Sequence, residues 1–199
     1  MLGSVSNRHL RDELHNATIR FLLSKRVNIT PEKLLQCTAA IFHGLEIPTT
    51  DMHGEQVIQR IRCTGEHNWH GSKPRHDWVW VKTSQLREGK EPPYKALLGR
   101  LPYRLLRLFK LRILPENPFW CAFVETAMPT AGGMPEGASG MVRVAIPTTG
   151  SGYAVISGGN IHSAAHLIPE EPVSSGIPNR SWIVNSHIDL ATWNDVYYM

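Results

Sequence analysis

The stretch Asp77-Trp78-Val79-Trp80-Val81-Lys82 has the texture of a β-strand: β-branched and aromatic residues partly alternate, charge stands at both ends, and no Gly or Pro interrupts. Such side chains fit a pleated, half-buried surface. The texture recurs outward from there. It returns in Gln56-Val57-Ile58-Gln59-Arg60-Ile61-Arg62, Phe119-Trp120-Cys121-Ala122-Phe123-Val124, Gly140-Met141-Val142-Arg143-Val144-Ala145-Ile146, Tyr153-Ala154-Val155-Ile156 and Ser181-Trp182-Ile183-Val184. Each run has strand length, with Gly- and Pro-rich turn signals between. The pattern predicts a mainly β (α+β) chain whose strands form a sandwich or small barrel. Residues 126–139 and 169–178 read as loops.

The N-terminal part differs. Leu10, Leu14, Ala17 and Phe21 recur at helical spacing and predict a helix from Asn7 to Lys25, with Arg8, Arg11, Asp12 and Arg20 toward water. Thr30-Pro31-Glu32 carries a helix start, Thr30 capping and Pro31 in the first turn. Leu34, Leu35, Thr38, Ile41 and Phe42 would form its buried face, with Gly44 as stop. Residues 1–47 are thus expected to be a helical hairpin, Pro48 to Asp51 a linker, and residues 48–199 a β-barrel-like domain. The aromatic tail Arg180 to Tyr197 is expected to pack into that domain, with Asp189 capping a short final helix over Leu190 to Asp195.

With 42% apolar and 19% charged residues in 199, the chain can build a core, and wholesale disorder is excluded. No apolar run approaches a membrane span, and the first residues lack the apolar stretch of a secretory signal. Three cysteines, Cys37, Cys63 and Cys121, make no paired framework and fit reduced thiols in a nuclear or cytosolic protein, with Cys37 and Cys121 as small core residues. A net charge of +4 permits a polyanionic partner without demanding one.

Four constellations carry chemistry on paper. Lys95, Arg100, Arg104, Arg107, Lys110 and Arg112 form a basic run with no acid among them, interleaved with leucines. On a helix Arg100, Arg104 and Arg107 would share one face, suited to phosphates, although Gly99 and Pro102 oppose a long regular helix. The alternative is a solvated basic face over a buried leucine stripe. Cys63, His67, His70 and His76 are the densest possible zinc ligands, but their spacing matches no standard site, and residues 66–75 read equally as a polar hairpin loop. Ser163, His166 and Asp189 are the ingredients of a nucleophile–base–acid set without a nucleophile elbow, and His166 sits in an apolar strip that suits a core histidine. The Gly150-Ser151-Gly152 and Gly158-Gly159 clusters lack the Lys-Ser/Thr of a phosphate loop and read as turns.

Several pieces together resemble a known family. They are Ile61-Arg62-Cys63 with Trp69-His70-Gly71, Pro74-Arg75-His76-Asp77-Trp78-Val79-Trp80-Val81, Gly99-Arg100-Leu101-Pro102 with Leu108-Phe109-Lys110, Ile161-His162-Ser163-Ala164-Ala165-His166-Leu167-Ile168-Pro169, and the tail from Trp182 to Tyr197. Over residues 56–198 the chain resembles the C-terminal region of fungal transposon-encoded proteins of the Plavaka or Kyakuja–Dileera–Zisupton kind. That resemblance implies a nuclear accessory domain whose transposase core lies elsewhere, since 199 residues leave no room for it. A small barrel followed by a helix is also similar, in architecture alone, to the bromo-adjacent-homology fold of chromatin modules.

The expectation is therefore a non-catalytic binding domain, with DNA or a chromatin protein as partner. No cofactor, membrane or small-molecule substrate is expected, and the location is nuclear or cytoplasmic. Its basic run from Lys95 to Arg112 is the candidate contact. The rivals are a zinc-binding or remnant enzyme domain built on the Cys63 to His76 region, and a decayed transposon fragment without a retained role.

Overall fold

A computed structural model describes residues 8–50, 54–64, 74–82, 97, 99–113, 118–130, 141–147, 152–170 and 181–185. Lys95, His67, His70, Asp189 and the expected C-terminal helix lie outside the described residues, as do most of the two long loops. Among the described residues no helix is long and apolar enough to cross a membrane.

Helix α1 (Arg8–Ser24) buries Leu14, Ala17, Thr18, Phe21 and Leu22: three of the four expected stripe positions with two additions, while Leu10 is only half-buried against the same cluster. Buried Thr18 keeps its hydroxyl satisfied by donating to the Leu14 carbonyl at 2.7 Å. The helix ends in a Schellman motif: Val27 N–H donates to the Leu22 carbonyl, Arg26 N–H donates to Leu23, and Arg26 takes a φ of 60°. Helix α2 (Pro31–Gln36) starts as expected, Lys33 N–H donating to the Thr30 hydroxyl, but it stops at Gln36. Thr38–Phe42 is instead strand β1, followed by β2 (Gly44–Thr50), which takes in Pro48, Thr49 and Thr50 of the expected linker. Of the expected buried helix face only Leu34 is buried, and Leu35 is 70% exposed. The helical hairpin thus has one full arm and one short one.

The remaining strands are β3 (Gln56–Thr64), β4 (Arg75–His76), β5 (Trp78–Lys82), β6 (Arg100–Arg112), β7 (Phe119–Thr126), β8 (Met128–Pro129), β9 (Arg143–Ala145), β10 (Tyr153–Ser157), β11 (Ile161–Ala165), β12 (Leu167–Pro169) and β13 (Ser181–Val184). The chain is mainly β, as its texture predicts. The basic run is where the element type departs from a helix. From Arg100 onward it is a strand of 13 residues at the centre of the main sheet, ordered β10-β7-β6-β5-β11. Along one edge of β6, β5 covers Arg100–Arg104 and β1 covers Leu108–Arg112; β7 takes the other edge. This explains β1. The far half of β6 would otherwise present an open row of N–H and C=O groups, and Thr38, Ile41 and Phe42 suit a pleated surface. Pro102 is tolerated because the ladder with β7 begins one residue later, at Tyr103.

Strands β10 and β11 lie at opposite edges of this sheet, yet only a single 3-10 turn, Gly158–Asn160, separates them. Ser157 is level with Phe109 of β6, and Ile161 with Leu101. In a flat sheet their joined ends would stand about 19 Å apart across the strands and about 26 Å along them. Four peptide steps reach at most about 14 Å. The sheet must therefore coil until its edges approach, and one apolar cluster on its concave side draws on every strand from β10 to β11: Ala154, Ile156, Ala122, Val124, Leu105, Leu108, Val79, Val81 and Ile161, with Ile61 of β3 laid over them. No ladder joins β10 to β11 among the described residues, so the sheets are open and the expected closed barrel is not formed.

The convex side is covered in two places. Helix α1 packs on Phe109, Leu111, Cys121 and Phe123. A second sheet, β12-β13-β9-β8, packs on Trp80 and Ala127, with Trp78 and Trp182 edge to face at 4.9 Å. The third sheet is β2-β3-β4, in which Cys63 faces His76 and Thr64 faces Arg75, so the expected hairpin around residues 66–75 has its paired ends in place.

Candidate functional site

Strand β6 sorts the basic residues by face. Side chains alternate along a strand, but β6 carries a bulge between Leu105 and Arg107, and register with β7 resumes one residue out of step. Arg104 stands opposite Glu125 and Arg107 opposite Phe123, two residues apart on β7. Arg100, Arg104 and Arg107 therefore do project to one side, here by a bulged strand. Lys110, opposite Trp120, and Arg112 project to the other side. The run does not form a single surface.

The arginine side is the convex one. Arg104 forms an ion pair with Glu125, whose side chain is only 9% exposed, between the patch covered by α1 and the patch covered by the second sheet. Burial lowers the pKa of the Arg107 guanidinium. His76 is held below its ordinary value first by burial and then by Arg104 and Arg107. A buried carboxylate needs its cation, so Arg104 is committed to structure.

Lys110 and Arg112 are both exposed on the concave-side face, beyond the apolar cluster, and neither has an ion partner among the described residues. Their neighbours on β1 are small: Ala40 stands opposite Lys110 and Thr38 opposite Arg112. One register step toward the cluster, Phe42 shares the same face. Its ring meets Trp120 edge to face at a centroid distance of 4.7 Å. Gly158 packs directly on the Trp120 indole, where a Cβ would collide with the ring. The sequence hid this grouping. Phe42 is consumed by the helical pattern of residues 34–42, and its place opposite β6 is a contact across some 66 residues of chain.

The other constellations are not assembled among the described residues. Cys63 is buried, and burial pushes its thiol up to about 11. Among the described residues, which include Cys63 and His76 but not His67 or His70, no group of three or more His, Cys, Asp or Glu side chains converges. Ser163 is fully buried, whereas His166 is exposed, which corrects the expectation of a core histidine. Its carbonyl accepts from Asn185 N–H at 2.9 Å, so its backbone is tied to the strand end at Asn185. Cys121 is buried as expected, but Cys37 is only half-buried. No protein-family model matches the chain, and no curated protein or solved structure matches it either.

Proposed function

We propose that this chain is a non-catalytic binding module for nucleic acid, an accessory domain of a fungal mobile-element protein, and that Lys110 and Arg112 are its phosphate contacts. The observation that supports the reading is the pairing pattern along β6. Arg104 is committed to Glu125, while Lys110 and Arg112 stand exposed together on one face with no acid facing them among the described residues. Cations arranged so attract a polyanion and release its counterions on contact. The net charge of +4 favours the same encounter. The resemblance to transposon-encoded proteins adds DNA or chromatin in the nucleus as the setting.

The test is a titration of labelled oligonucleotides over a salt series, with the wild type beside a Lys110→Ala/Arg112→Ala variant. Two phosphate contacts predict that log K falls with log salt at a slope of about −1.4 for a single strand or about −1.8 for a duplex. The double variant should lose both the affinity and the slope. No binding at low salt, or binding that the double variant retains in full, would overturn the reading.

A further inference from the structure

We infer that Phe42 is a stacking platform for unpaired bases, so that the ligand of the Lys110–Arg112 face is a single strand of nucleic acid and not a duplex. The inference rests on the proposed nucleic-acid reading and narrows it. Phe42 is 37% exposed although its neighbour across the ladder, Leu108, is fully buried. An aromatic ring left in water beside cations that have no ion partner among the described residues is the combination that single-strand binders use, charge tracking the backbone and rings receiving base faces. A duplex keeps those faces stacked inside and offers a ring nothing to stack on.

The ring is also held. Trp120 lies against it edge to face, and Gly158 fixes Trp120 from the turn between β10 and β11. A platform ordered before binding costs less conformational entropy when the base arrives. From Thr38 through Ala40 to Phe42, β1 offers a floor of small exposed side chains ending in this ring, with Arg112 and Lys110 alongside. That track is about 14 Å long, room for a few nucleotides. Trp120 acts through Phe42 and is a positioning residue.

The experiment compares a labelled single strand, as DNA and as RNA, with the duplex of the same sequence at one salt concentration, using the full chain. The single strand should bind at least about tenfold tighter, through the face that Lys110→Ala/Arg112→Ala removes. Phe42→Ala should weaken single-strand binding at least about fivefold while leaving the salt slope unchanged, and Phe42→Tyr should restore it. Duplex binding as tight as single-strand binding in the wild type overturns the inference without any variant, as does Phe42→Ala binding like the wild type. In both cases the salt-dependent binding lost in Lys110→Ala/Arg112→Ala would survive, which separates this failure from failure of the nucleic-acid reading itself.

Discussion

Burial sets the protonation of His76 and Cys63, which face each other across the β3–β4 ladder. The imidazole is held below its ordinary value of 6.5 by burial, with Arg104 and Arg107 adding to it and Asp77 opposing. The unfolded chain therefore takes up this proton first as pH falls. Stability from His76 is complete above about pH 6.5 and is lost below it. The thiols run the other way. Burial raises Cys63 from 9.0 to about 11 and Cys121 from 9.0 to about 12, so the unfolded chain loses these protons first, and stability falls as pH climbs past 9. Denaturant unfolding should show a plateau between about pH 6.5 and 9. The alkaline limb should fall by up to about 3 kcal/mol per pH unit while both thiols differ between the states. A Cys63→Ala/Cys121→Ala variant should flatten that limb whatever its absolute stability, and an unchanged limb would refute the assignment.

At the level of single elements, the α1 stripe, the Thr30 cap and the Ser181–Val184 strand are local patterns, and all three are legible in the sequence. Strand β6 is not, for a specific reason. Its bulge sets Leu105 and Leu108, and Arg104 and Arg107, three residues apart on shared faces, which is helical spacing in an extended chain. Residues 34–42 fail for a second reason. Their apolar positions fit a helix, and only the open far half of β6, distant in sequence, draws Thr38–Phe42 into a strand. Helix α1 carries one local cost that is visible at its end. Arg26 occupies the left-handed C′ position that glycine takes without strain. Arg26→Gly should raise unfolding stability by about 0.5–1 kcal/mol, the relief of left-handed strain less the entropy glycine adds to the unfolded chain. A fall in the urea midpoint would contradict the motif.

Across the whole molecule, the rolled main sheet divides the basic run between two environments. Its convex face ties Arg104 to Glu125 between the two covering layers, while its concave-side face carries Lys110, Arg112 and Phe42 out to solvent. The mainly β class was legible from short alternating runs, but the division by face was not, because it depends on register, bulge and coil together. The candidate surface likewise joins β1, β6, β7 and the turn after β10, four segments that no short motif spans. The most direct measurement is an amide chemical-shift map of the isotope-labelled chain titrated with a short single-stranded oligonucleotide. The account predicts shifts concentrated at residues 38–42, 108–112 and 119–121, with Gly158 following. Shifts centred instead on the arginine face at residues 100–107 and His76, or no shifts at low salt, would contradict it.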